Sequence, residues 1–356
     1  MDIAVKQSVT KGTMPPENQL GFGKYFTDHM FVMDYNTEKG WHNPSVEPYA
    51  EFSLYPSAMV LHYGQAIFEG IKAFKTDDNR IVIFRTRDYL NRFNRSADII
   101  CIPNIDVELV REGLLKTVEL DKHWVPGSVG TSLYIRPVII ATDPYVGVKL
   151  SDTYKLFIML SPVGAYYAAG FNPVKIKVED KYVRTVPGGV GEAKTPANYA
   201  ASLRAGEQAK KEGFAQVLWL DAIEKKYIEE VGTMNIFFKI KDELITPALT
   251  GSILGGITRR TVMELAKSWG LTVTERKISI DEVFEAHAKG ELQEVFGSGT
   301  AAVISPVGEL TWKGQTIVIN NNQTGETSQR LFDSVTGIQY GKLEDTFGWV
   351  DEVTKL

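Results

Sequence analysis

The stretch Gly188-Gly189-Val190-Gly191-Glu192-Ala193-Lys194-Thr195-Pro196-Ala197-Asn198-Tyr199 sets one lysine behind a run of glycines and ahead of a helical pattern. That pattern, Ala200-Ala201-Ser202-Leu203 through Ala209, ends near Gly213, a residue suited to stop a helix. Pro187-Gly188-Gly189 and Gly191 allow backbone to approach closely. Glycines before a lysine also suit a phosphate cradle. The Walker pattern is absent, however, because Ala193 and not glycine precedes Lys194-Thr195. The other chemistry open to such a lysine is covalent attack on a carbonyl, which requires partial desolvation so that the amine is free near neutral pH.

Downstream, Gln216-Val217-Leu218-Trp219-Leu220-Asp221 and Tyr227-Ile228-Glu229-Glu230-Val231 read as strands across the polar turn 223–226, and 234–240 continues the meander. A glutamate buried there needs a partner, and a cation would serve; Glu229 competes with Glu230 for that role. Gly255-Gly256-Ile257-Thr258-Arg259-Arg260 precedes an amphipathic helix with Val262, Leu265, Ala266 and Trp269 on its apolar face and Gly270 at its end. The N-terminus of such a helix offers N–H groups and a positive dipole end to an anion. Phe296-Gly297-Ser298-Gly299-Thr300-Ala301-Ala302 is a tight turn before strand 303–307, and hairpins and a final helix over 328–341 follow without evident chemistry.

Upstream, 13–23 reads as extended surface chain, and 31–35, 61–74 and 81–84 read as strands, with a polar turn at 75–80. Residues 86–99 read as a helix with Leu90, Phe93 and Ala97 on one face and Arg92 and Arg95 off it; 107–120 reads as a second helix. The strand 131–140 puts Tyr134 and Arg136 on one side. A further strand, 156–160, is broken by the Gly/Pro-rich run 161–173. The expected organisation is a small N-terminal domain over 1–168, an interdomain loop over 169–176 and a larger C-terminal domain over 177–356.

At 356 residues the chain is long for one core, and 44% hydrophobic with 23% charged residues is ordinary globular composition. A net charge of -5 argues against nucleic acid as a partner. The single cysteine, Cys101, excludes an internal disulfide and a cysteine-based zinc site, and the five histidines show no ligand spacing, so no metal is expected. Residues 1–19 carry no apolar signal core, and no apolar run is long enough to span a bilayer, so a cytoplasmic protein without membrane association is expected.

In the family's order, Gly188–Tyr199, Glu229–Phe237, Gly255–Arg259 and Phe296–Ala301 resemble the branched-chain amino acid aminotransferases, pyridoxal 5'-phosphate (PLP) enzymes of fold type IV. The likeness runs from about Gly21 to about Pro306. It implies a mixed α/β (α+β) two-domain fold like that of D-amino acid aminotransferase. The reaction it implies is transamination of leucine, isoleucine and valine with 2-oxoglutarate, giving branched-chain 2-oxo acids and L-glutamate. In the resemblance Lys194 bonds the cofactor and moves the proton between Cα and C4′. Tyr199 faces the cofactor's phenolic oxygen, with Arg184 supporting the region. Glu230, picked over Glu229 by the motif Glu-Val-Gly-Thr-Met-Asn, keeps the pyridine nitrogen protonated. Arg92, Ile257, Thr258 and Thr300 hold the phosphate, and the N–H groups of Thr300 and Ala301 hold the substrate carboxylate. Phe22, Tyr63, Phe68, Tyr134, Val148, Tyr166 and Thr233 line the side-chain pocket, with Arg136 and tyrosine hydroxyls for glutamate's second carboxylate. Several of these are donated to the neighbouring subunit, so a homodimer or higher homo-oligomer is implied. The chain departs from the family at Pro196-Ala197, often Gly-Gly elsewhere, and at Ala302 and Ser305, where some relatives carry a redox Cys-x-x-Cys. A D-amino acid transaminase, an aminodeoxychorismate lyase and a PLP carrier without turnover are the alternatives; Phe68–Phe74, Tyr134 and Arg136 favour the branched-chain reading.

Overall fold

The computed structural model describes residues 1–164 and 171–356. The chain forms two compact units: Met1–Tyr166 with Ala193–Pro196 and Gly337–Leu356, and Tyr167–Glu192 with Ala197–Thr336. Two segments beyond residue 168 thus belong to the first unit: the four residues around Lys194, and the C-terminus.

The first unit is built on one sheet. Its strands are β1 (Ala4–Val5), β2 (His29–Asn36), β3 (Gly40–Pro48), β4 (Ala66–Phe68), β5 (Ile71–Lys75), β6 (Arg80–Phe84), β7 (Ser132–Ala141), β8 (Thr153–Val163) and a C-terminal strand, Val350–Lys355. Their order is β1-β3-β2-β8-β7-β5-β6 followed by the C-terminal strand, with β4 also pairing β7. Helices α2 (Thr86–Ile99) and α3 (Val107–Leu120) fall on the ranges that their apolar spacing predicts. Asp106 caps α3, its carboxylate accepting from the N–H groups of Glu108 and Leu109.

Three expectations are corrected. Residues 61–63 are not strand but the end of α1 (Met59–Tyr63), because Gly64 at φ +63° closes a short helix before β4 begins. The strand expected to break at Ser161 runs on to Val163. Pro162 is tolerated because it lies beyond Met159, the last residue of β8 paired with β2, so one edge carries no ladder there. The C-terminal strand pairs antiparallel with β6; lying half-buried at the edge of the sheet, it lacks the apolar alternation that marks a strand.

The second unit carries β9 (Val174–Glu179), β10 (Gln216–Leu220), β11 (Ile228–Val231), β12 (Asn235–Ile240), β13 (Glu243–Thr246), β14 (Thr272–Glu275), β15 (Leu292–Gly299), β16 (Val303–Trp312) and β17 (Gln315–Val318). Their order is β11-β10-β9-β16-β15-β12-β13-β14, with β17 paired to β16. β9 starts inside the segment read as interdomain loop. Ile176, Leu218, Ile236, Phe238, Val295 and Leu310 are among its core residues, and their burial fixes strand register. The helices are α4 (Pro196–Lys211), α5 (Ile257–Ser268), α6 (Ile280–Ala288) and α7 (Glu326–Gln339). α4 starts earlier than the apolar pattern suggests because Pro196, with no N–H to lose, suits a first helical turn.

Candidate active site

In the first unit Lys194 is held by its backbone. Its N–H donates to Ser96 Oγ of α2 at 2.9 Å, and its carbonyl accepts from Phe68 N–H of β4 at 3.0 Å. Next to it, Thr195 Oγ1 donates to the Ala66 carbonyl at 2.8 Å. The Lys194 side chain is half-buried, with Nζ 4.9 Å from the centre of the Phe68 ring, which shields one side of the amine from water.

Phe68 begins a wall. The Arg136 guanidinium lies 4.7 Å from the same ring, Arg136 Nη2 donates to Tyr134 Oη at 3.0 Å, and the Phe22 ring sits 5.0 Å from Tyr134. Cross-strand partners share a face, so the pairs Lys72–Tyr134 and Phe68–Val138 place Phe68, Lys72, Tyr134 and Arg136 on one side of the sheet. Gly70 makes room for this wall: a Cβ there would lie 2.1 Å from Tyr134 Oη. Among the described residues Arg136 Nε is buried without a hydrogen-bond partner, a donor suited to a carboxylate. Burial pushes the Lys72 amine down to about 8.

Arg92 is not a solvated helix arginine. α2 buries more than its three-residue stripe, and Arg92 goes inside with Tyr89, Phe93 and Ser96 while Arg95 stays exposed. Arg92 Nε and Nη2 form a fork onto Glu69 Oε1 and Oε2 at 2.7 and 2.8 Å. Glu69, fully buried at the end of β4, orients the guanidinium and balances its charge.

In the second unit Glu230 is buried on β11. Its Oε1 accepts from Leu254 N–H at 2.8 Å and lies 3.2 Å from Arg184 Nη2. Asn235 Nδ2 donates to the Leu254 carbonyl at 2.9 Å, fixing the same residue from its other side. This segment continues into α5, where Ile257 and Thr258 form the buried first turn and Gly256, the N-cap, supplies no side-chain cap. Such a terminus fits a phosphate. Thr300 and Ala301 lie in the turn closing β15. The pair Asn235–Ser298 puts that turn and Thr233 at the same end of the β12–β15 ladder. Tyr199 is half-buried in the first turn of α4, beside Asn198, whose Nδ2 donates to the Val190 carbonyl at 2.9 Å.

Residues 66–310 match the amino-transferase class IV family. The chain is 58% identical over 354 residues to branched-chain-amino-acid aminotransferase 2 of Bacillus subtilis, covering 99% of this chain and 98% of that one. It is 56% identical over 340 residues to branched-chain-amino-acid transaminase 1 of the same organism, covering 95% and 96%. The crystal structure of the branched-chain amino acid aminotransferase of Escherichia coli superposes with a TM-score of 0.77 at 28% identity, over 92% of this chain and 99% of that one. The chain belongs to the class IV aminotransferases. Its two-sheet α/β architecture is the fold type IV architecture that the motifs around Lys194 imply.

For a class IV aminotransferase the donor set fits PLP. A buried carboxylate, Glu230, suits a protonated ring nitrogen, the α5 terminus suits a phosphate dianion, and Lys194 stands beside an aromatic ring. Among the pocket residues, Phe22, Phe68, Tyr134 and Arg136 are joined in the first unit. Tyr63 and Val148 are exposed, Val148 at 89%, and Thr233 is exposed in the second unit. Tyr166 lies outside the described residues. Sequence reasoning missed Glu69, Lys72, Ser96 and Ser252 as parts of the site. The first two stand in the Phe-Glu-Gly-Ile-Lys run, where two charges inside an apolar strand were the available signal; nothing local marks the two serines.

Proposed function

We infer that this chain is a PLP-dependent branched-chain-amino-acid aminotransferase that exchanges the amino group of leucine, isoleucine or valine with 2-oxoglutarate. The observation that carries the reading is the buried Glu230 carboxylate, its Oε1 held by Leu254 N–H beside Arg184, in a chain that matches branched-chain aminotransferases over nearly its whole length. PLP, when bound, supplies the electron sink that stabilises negative charge at the substrate Cα. Lys194 Nζ would hold PLP covalently and, once displaced from it by the substrate's amine, would serve as the free base that carries the proton from Cα to C4′. Glu230 holds the proton on the ring nitrogen, and Tyr199 donates to the phenolic oxygen. Arg92, oriented by Glu69, shares the phosphate with Ile257, Thr258 and Thr300. The N–H groups of Thr300 and Ala301 take the substrate carboxylate, and Phe22, Phe68, Tyr63, Tyr134, Val148, Tyr166 and Thr233 exclude water around its branched side chain. Arg136 Nε–H and the Tyr134 hydroxyl donate to glutamate's distal carboxylate.

The reading includes a homodimer working in the cytoplasm. Tyr145, Val146, Val148 and Leu150 follow β7 as an exposed apolar run, and Tyr55 and Leu61 are exposed around α1, which an Ala58–Pro144 bridge ties to that run. A second copy of the chain covering these residues accounts for them. The lone Cys101, exposed and unpaired, suits a reducing compartment.

The test is the visible absorption of the PLP-loaded protein before and after L-leucine, with no oxo acid present. A cofactor band that leucine bleaches supports the reading. A band bleached only by D-alanine leaves the cofactor and refutes the substrate. Failure to form any band with excess PLP refutes the role of Lys194.

A further inference from the structure

Glu229 and Glu230 are consecutive on β11, so their side chains leave opposite faces of the strand. Both are buried, at 4% and 3% exposure. The Arg184 guanidinium acts on both, with Nη2 3.2 Å from Glu230 Oε1 and its charge felt at Glu229. The segment from Ser252 to Leu254 holds the group together. Ser252 Oγ donates to Glu229 Oε1, and its carbonyl accepts from Arg184 Nη2 at 2.7 Å and Thr185 Oγ1 at 2.8 Å. Two residues on, Leu254 N–H reaches Glu230 Oε1. Gly191, three residues before Lys194, presses on the same carbonyl: a Cβ there would lie 2.4 Å from the Ser252 oxygen.

One guanidinium balances one carboxylate. Glu229 Oε2 is buried with no hydrogen-bond partner among the described residues, which costs an ionised carboxylate far more than a neutral acid. Burial is the largest influence on Glu229 and pushes its carboxyl above the ordinary range; Glu230 and Asp221 act the same way, against Ser252 and Arg184. A cavity of about 250 Å³ on this side is lined by Glu229 and, among charged groups, by Asp221, Glu224 and Lys277.

We propose that Glu229 is an uncharged positioning residue for Glu230: it anchors Ser252 as a carboxylic acid, leaving Arg184 to balance Glu230 alone, so that Glu230 stays charged toward the cofactor's ring nitrogen. The proposal rests on the PLP reading above. Its test uses the full-length PLP-loaded protein as wild type, Glu229→Gln and Glu229→Ala. The infrared difference between wild type and Glu229→Gln at neutral pH is expected to contain the stretch of a protonated carboxyl. In pH titrations of the visible cofactor band, Glu229→Gln is expected to keep the wild-type midpoint. Glu229→Ala is expected to raise the midpoint by about one unit, a tenfold change in proton affinity, because a less firmly charged ring nitrogen leaves the nitrogen of Lys194 more basic. Absence of the protonated-carboxyl stretch overturns the proposal. So does a Gln midpoint displaced as far as that of Ala, or an Ala variant with lower Tm and an unmoved midpoint. If Glu229→Ala does not fold, Ser252→Ala carries the titration. If wild type forms no visible band, the PLP reading fails, and the infrared difference still decides whether Glu229 is charged.

Discussion

Gly70→Ala separates the two substrates of the proposed reaction. The added Cβ would sit 2.1 Å from Tyr134 Oη, whereas ordinary contact begins at 3.4 Å, so the hydroxyl must retreat by 3.4 − 2.1, about 1.3 Å. Its bond from Arg136 Nη2, 3.0 Å long, does not survive that shift. No positive φ is required at Gly70, so the substitution acts through space and not through the backbone. A hydrogen bond to a charged group contributes about 1.5–3 kcal/mol, equivalent to a roughly 10- to 150-fold effect on binding where it serves recognition. Stopped-flow bleaching of the cofactor band measures the two half-reactions separately. With L-glutamate, kcat/KM is expected to fall about 10- to 100-fold, because the distal carboxylate loses a preorganised Arg136–Tyr134 pair. With L-leucine, which has no second charge, the fall is expected to be several-fold at most. Equal losses for both amino acids would refute a dicarboxylate role for this pair and reduce Gly70 to a packing constraint.

Glu69→Ala is expected to lower stability by about 3–5 kcal/mol and to weaken PLP binding, because it strands the buried Arg92 guanidinium; thermal melts with and without PLP check both, and an unchanged Tm would refute the pairing. Lys72→Met tests the buried amine through pH. Its folded value of about 8 lies below the ordinary 10.5, so the unfolded chain holds the extra proton between the two. Wild-type stability therefore gains from this residue as pH rises from about 8 to 10.5 and lacks that gain below 8, a difference of about 3 kcal/mol that Lys72→Met is expected to erase from denaturant-melt profiles. Val148→Glu is expected to leave the chain folded but monomeric and inactive, as read by sedimentation and turnover; a dimer that survives the charge would place the interface elsewhere.

What was legible in the sequence was local. α2 and α3 could be read to their ends because an apolar stripe at helical spacing is contained within each helix, and Tyr134 and Arg136 could be paired because alternation along one strand is enough. The ends of β8 and α1 depend on what neighbours do: Pro162 is harmless only where β2 no longer pairs, and Leu61–Tyr63 turn helical only because Gly64 stops them. The C-terminal strand takes its identity from β6, whose residues 80–84 lie far earlier in the sequence. The same holds at the site. Glu230 stood in a recognisable motif, but its partner Arg184 was read only as general support, and Ser252 had no local mark at all, because its function consists of bonds to residues 184, 185 and 229.

The glycine run before Lys194 shows how a correct reading can attach to a different cause. Glycine there suggested close approach of backbone. At Gly191 the group approached is the protein's own Ser252 carbonyl, which Arg184 and Thr185 also bind. The lysine itself is placed by other residues: Ser96 and Phe68 bond its N–H and carbonyl, and Ala66 bonds its neighbour Thr195. The backbone that carries the amine is thus held by α2 and β4. Substitutions at Gly191 would act first on the support of Glu230, and substitutions at Ser96 first on the lysine.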